Sequence, residues 1–109
     1  MTPVSEATLA RMVDAIVAEV SPERVILFGS QARGDQERQS DVDLLNIQPE
    51  PFNTVRKRDA QSVRLSKRLA SFPIPADILL YARDEVDYWR DSLNHVLARA
   101  LREGWVLYE

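Results

Sequence analysis

The sequence predicts an α/β chain of the α+β kind, a small mixed or antiparallel sheet flanked by helices. Three observations predict it. Apolar residues recur at helical spacing in three long stretches. Short apolar runs lie between them and end on glycine or proline. The first two runs stand too close together for a long crossover helix, so an antiparallel or mixed pairing is expected rather than a doubly wound fold.

The first helix follows from Leu9, Met12, Val13, Ile16, Val17 and Val20, which share one face. Ser5 suits its N-cap, Glu6 its first turn, and Ser21-Pro22 its end. Val25 to Phe28, stopped by Gly29, has the continuous apolar character of a strand buried on both faces. Gly29 to Ser40 is polar and holds two of the three glycines, so a turn with a short helix or loop is expected. Asp41 to Ile47 is the second strand, punctuated by Pro49 and Pro51. Thr54 to Phe72 is a second long helix with a ragged apolar stripe of Val55, Val63, Leu65, Leu69 and Phe72. Pro73 and Pro75 close it, and Ala76 to Tyr81 is a third strand. From Asp84 the chain is expected to be helical again, with Leu93, Val96, Leu97, Ala100 and Leu101 facing inward. Gly104 suits the C′ position, and Trp105 to Tyr108 adds a terminal strand or an apolar tail.

At 109 residues, residues 1–109 are expected to form one domain around one core. Hydrophobic residues at 45% and charged residues at 28% exclude a disordered chain. No apolar run approaches a membrane span, and no signal-like segment opens the chain, so a cytoplasmic domain without membrane contact is expected. A net charge of −3 does not point to direct nucleic-acid binding. The absence of cysteine removes disulfides, thiolate nucleophiles and cysteine metal sites, and a lone histidine, His95, cannot build a histidine metal centre in one copy.

Three features carry chemistry. Gly29-Ser30 follows a buried strand directly, where glycine permits close backbone approach and free N–H groups with a hydroxyl suit phosphate oxygens; an ordinary turn is the plainer alternative. Asp41 and Asp43 are spaced i, i+2, which on a strand places both carboxylates on one face while Val42 and Leu44 point into the core. Such a pair suits Mg²⁺, a hard cation that keeps waters and takes substrate phosphates; a solvated strand face is the alternative. Asp77 precedes Ile78, Leu79 and Leu80 in an otherwise apolar strand. It sits either at a solvated strand end or in a site. If its strand neighbours the second, three carboxylates converge as they do in two-metal phosphoryl-transfer sites.

Gly29-Ser30, ten intervening residues and then Asp41-Val42-Asp43 resemble the signature of the polymerase-β-like nucleotidyltransferases. The fuller runs, Phe28 to Gly34 and Ser40 to Leu45, look like the minimal nucleotidyltransferase (MNT) antitoxin branch, and Asp77 matches the third carboxylate. The resemblance implies that fold and a site in which Asp41, Asp43 and Asp77 bind metal, as a pair of Mg²⁺ ions, and carry catalysis. Gly29 and Ser30, with Arg33 as a further candidate, would hold ATP. AMP would pass to an acceptor with release of pyrophosphate. The acceptor implied is a tyrosine of a HEPN-domain ribonuclease toxin, silenced by adenylylation in a toxin–antitoxin pair and able to form a hetero-oligomer with this chain.

Other readings stand beside these. Arg33 contacts phosphate, or pairs with Asp35 or Asp41 as loop scaffolding. The stretch Arg56 to Arg68 holds six of the fourteen basic residues and reads first as a solvated helix face. His95 is a packing or surface residue, and Tyr81, Tyr88, Trp89, Trp105 and Tyr108 are core or docking aromatics. A non-catalytic antitoxin that occludes its partner is the alternative from another class, and nucleotide transfer to a small molecule fits the same motif. With most of the chain spent on ATP and metal, the acceptor is expected to be a folded protein.

Overall fold

The computed structural model describes residues 6–29, 42–92 and 95–109. Helix α1 (Glu6–Val20) leads into strand β1 (Arg24–Phe28), and strand β2 (Val42–Gln48) follows. Helix α2 (Val55–Leu69) then crosses to strand β3 (Ala76–Ala82). Helices α3 (Arg83–Trp89) and α4 (Val96–Glu103) and strand β4 (Trp105–Tyr108) complete the described elements. The strands form one mixed sheet in the order β3-β2-β1-β4. β1 pairs antiparallel with β2 and with β4, whereas β2 and β3 are parallel, joined through α2.

Alternation along the strands divides the core in two. Val25, Leu27, Val42, Leu44 and Leu80 face α1 and α2, meeting Leu9, Met12, Val13, Ala15, Ile16, Leu65 and Leu69. Ile26, Leu45 and Ile47 face the other way, against Val86 of α3 and Leu97 and Ala100 of α4. The expected burial of β1 on both faces is what the sheet shows, with Val25, Ile26 and Leu27 all buried. Val42 and Leu44 are fully buried on the face opposite Asp43.

Local chemistry fixes the boundaries. Ser21 takes a positive φ of 48° after α1 while its N–H bonds Val17 O at 3.0 Å. Thr54 caps α2 through Oγ1, which accepts from the Lys57 N–H at 3.1 Å. That helix ends at Leu69, three residues before the expected Phe72. Arg64 pins α2 to α1 by an ion pair to Glu19 at 2.8 Å. Arg58 pairs with Glu85 of α3 and lies over the Phe52 and Tyr81 rings. Two cations of the basic helix are therefore spent inside the chain.

Several expectations change. Val63 is exposed, because two residues from Leu65 is about 200° around a helix. The single helix expected from Asp84 is two helices. Asp91 and Ser92 favour turns over helix interiors, the Ser92 N–H closes back on Trp89 O at 3.0 Å, and His95 starts a new helix by accepting from the Leu97 N–H through Nδ1 at 3.1 Å. Its ring also stacks on Trp89 at 4.3 Å between centroids. α4 is phased by Leu97 and Ala100, which leaves Val96 exposed, while Leu93 and Ser5 lie outside the described residues. Gly104 is a C-cap in extended conformation, φ −83° and ψ 166°, not a left-handed C′ residue. A Cβ there would sit 2.4 Å from Ala100 O and 2.5 Å from Ile26 Cγ2, so glycine lets α4 and β1 touch. Trp105 to Tyr108 forms an edge strand beside β1, and Tyr88, Trp89, Trp105 and Tyr108 are exposed rather than core. No helix among the described residues is long and apolar enough to cross a membrane.

Candidate functional site

The chemistry-bearing residues collect at one end of the sheet, where β1 finishes and β2 and β3 begin. Two pairings place them. In the antiparallel ladder Phe28 is opposite Asp43, and in the parallel ladder Asp43 is opposite Asp77. Residues opposite one another share a face, so Phe28, Asp43 and Asp77 form a row across three strands on the α3 and α4 side. The Val42 N–H donates to Pro75 O at 3.0 Å, which locks the starts of β2 and β3 together just ahead of the two aspartates.

The row is polar at its outer edge. Asp43 is half-buried and Asp77 exposed, whereas one step further along the same face Leu45 is fully buried and Leu79 packs, partly buried, against the core. Carboxylates directly opposite on neighbouring strands repel unless a cation or other partner lies between them. Hard oxygen donors of this kind suit a divalent cation such as Mg²⁺.

Gly29 ends β1 beside this row with φ +75°, a backbone conformation that L side chains rarely adopt. A Cβ at Gly29 would fall 2.4 Å from Asp43 Oδ2, 3.2 Å from its Cγ and 3.4 Å from its Cβ. The carboxyl end of Asp43 thus lies against the main chain at the close of β1. Of the residues singled out from the sequence, the structure brings together Gly29, Asp43 and Asp77. Asp41, Ser30 and Arg33 lie outside the described residues. Among the described residues no group of three acids or histidines is placed to hold a metal.

Two participants escaped the sequence reading. Phe28 flanks Asp43, and Pro75 supplies the carbonyl that aligns β2 with β3. Both depend on strand register, and the only signals for them were the apolar end of β1 and the proline before β3. His95 stands apart from the carboxylates, as the cap of α4.

With this geometry in view, known proteins place the chain. Among solved structures it resembles a Sulfolobus solfataricus protein described as a nucleotidyltransferase, at 24% identity and TM-score 0.58, over 75% of this chain and 70% of that one. A toxin–antitoxin structure with AMP-PNP matches at 20% identity and TM-score 0.62, over 96% of this chain and 73% of the other. A mutant of the toxin–antitoxin MntA-HpeT, carrying two aspartate-to-glutamate changes two positions apart, matches at 19% identity and TM-score 0.59 with the same coverage. These likenesses establish a shared fold. No curated protein matches the sequence. The model of the nucleotidyltransferase domain matches residues 9–98, a span that takes in β1, β2, β3 and Asp41, Asp43 and Asp77, and the chain belongs to that family.

Proposed function

We propose that this chain is the antitoxin of a toxin–antitoxin pair and a Mg²⁺-dependent protein adenylyltransferase that moves AMP from ATP to a tyrosine of a HEPN-domain toxin. The observation that carries the reading is the placement of Asp43 opposite Asp77 at the open end of the sheet, in a chain of the nucleotidyltransferase family. Asp41 precedes Asp43 by two positions, the spacing of the aspartates altered in the MntA-HpeT mutant. The toxin–antitoxin neighbours, one holding an ATP analogue, support the partner and the nucleotide.

Asp41, Asp43 and Asp77 would hold the metal, which when bound offsets phosphate charge and draws electron density from phosphorus. Asp77, which is exposed at the rim, would take the phenolic proton of an entering tyrosine. The tyrosine oxygen then bonds to the α-phosphorus, the bond from that phosphorus to the bridging oxygen breaks, and pyrophosphate leaves with the electron pair. Gly29, Ser30 and Arg33 hold the triphosphate in this scheme, and half-buried Asp43 sets the position of the reacting phosphate. The domain works in the cytoplasm as residues 1–109, with the toxin closing the other side of the cleft.

Co-expression with the neighbouring gene product and intact mass spectrometry of that product test the reading. One or more added AMP groups, absent with Asp41→Asn/Asp43→Asn, support it. A tight complex with an unmodified partner in both cases refutes catalysis in favour of occlusion.

A further inference from the structure

We propose that Gly29 is a positioning residue for Asp43: the missing side chain leaves the space in which the Asp43 carboxylate is held. The inference rests on the nucleotidyltransferase reading for its consequence in function, but its geometry is independent of that reading. Two features of Gly29 coincide. Its φ of +75° turns the chain as it leaves β1, and the volume a Cβ would fill is already taken by Asp43, with Oδ2 at 2.4 Å. The ladder explains the approach. Phe28 is the last residue of β1 paired with β2, and its partner is Asp43, so the chain turns at Gly29 directly over that side chain.

Comparison with Gly104 shows why this is a positioning role. A Cβ at Gly104 would press on two backbone carbonyls, Ala100 O at 2.4 Å and Leu27 O at 2.8 Å, and on buried Ile26. None of these can move without moving a helix or the sheet, so that glycine serves packing. At Gly29 the three nearest atoms all belong to one side chain, and the nearest is the terminal oxygen of a half-buried carboxylate rather than backbone. A methyl group added there is relieved by turning the carboxylate aside. The fold survives, and the carboxylate is lost from its place beside Asp77. A displacement of about 1 Å at a reacting centre costs on the order of 100-fold in rate.

The test uses Gly29→Ala, Asp43→Ala and the double variant. Mn²⁺ binding is titrated calorimetrically with a non-hydrolysable ATP analogue present, and the Asp43 χ1 rotamer is read from NMR scalar couplings without metal. Gly29→Ala should lower the folded-to-unfolded ratio by about tenfold in urea, the cost of the left-handed backbone, with or without Asp43. It should weaken Mn²⁺ binding by at least about tenfold, a loss of some 1.4 kcal/mol. Its effect on Mn²⁺ binding should be clearly smaller in the Asp43→Ala background, where only the part exerted through the triphosphate remains, and in the parent it should change the Asp43 rotamer. An unchanged rotamer in a folded Gly29→Ala protein overturns the proposal, as does an equal loss of Mn²⁺ affinity in the Asp43→Ala background. Failure of the unaltered protein to bind Mn²⁺ with the analogue would sink the proposed function instead, and the rotamer would then decide the role of Gly29.

Discussion

Replacing Asp77 with asparagine should stabilise the metal-free protein while disabling it. Asp43 and Asp77 face each other across a parallel ladder, where Cβ atoms lie about 5 Å apart. Coulomb's law gives ~0.8 kcal/mol for two unit charges at ~5 Å in water and ~3 kcal/mol at an effective dielectric of ~20. Exposure of Asp77 keeps the value near the lower figure, so ~0.5–1 kcal/mol is expected after screening. For a domain of this size that is a rise in Tm of roughly 3–6 °C. The assay is thermal unfolding in EDTA at low salt, repeated at 1 M salt, where a Debye length of ~3 Å should erase most of the gain. Added Mg²⁺ with nucleotide should then raise the Tm of the unaltered protein more than that of Asp77→Asn, reversing the order. Transfer activity should fall by roughly 10²–10⁴, the usual worth of a positioned proton acceptor. An Asp77→Asn protein that melts at or below the parent in low-salt EDTA, or whose gain survives 1 M salt, refutes the repulsion argument.

Three other substitutions probe the frame around the site. Asn46, fully buried in the middle of β2, has neither side-chain atom bonded to a protein group among the described residues, so Asn46→Leu should gain ~1–2 kcal/mol in urea unfolding at unchanged m-value. A loss instead would mean that the amide is satisfied. Gly104→Ala forces a Cβ against Ala100 O and Ile26, and should cost ~1–3 kcal/mol with the α4–β1 contact as the casualty, visible as faster amide exchange in β4. His95→Ala removes the acceptor for the Leu97 N–H and should cost ~1 kcal/mol, largely restored by His95→Asn; equal losses in the two variants would show that stacking on Trp89, not capping, is what His95 supplies.

The sequence carried those parts of the fold and site that depend on local pattern. The i, i+3, i+4 spacing from Leu9 to Val20 sufficed for α1, since one apolar face needs no partner to be recognised. The short run at Val25 and the alternation at Val42 and Leu44 gave β1 and β2 for the same reason. Register and close approach were out of reach. That Asp77 stands opposite Asp43 depends on parallel pairing across α2, and that Gly29 lies under Asp43 depends on antiparallel pairing with β1. Neither leaves a mark within a few residues. The break between α3 and α4 was hidden by a helical spacing of apolar residues that continues through it, overridden by the turn at Asp91-Ser92 and the His95 cap.

The register of β2 makes the stability of the sheet and the geometry of the site the same problem. Side chains on a strand alternate faces, so a slip of one residue would carry Asp43 to the α1 and α2 side, into a position now filled by fully buried Val42 or Leu44. The other face of β2 is buried as well, at Leu45 and Ile47, so the penalty of the slip is chiefly that of placing a carboxylate in a fully buried position. The core therefore holds Asp43 in the row with Phe28 and Asp77. The Val42 N–H to Pro75 O bond ties β2 to β3, and the Phe28–Asp43 pair ends the ladder on the β1 side. The burial that holds the sheet together thus also sets where Asp43 stands at its open end, in register with Asp77.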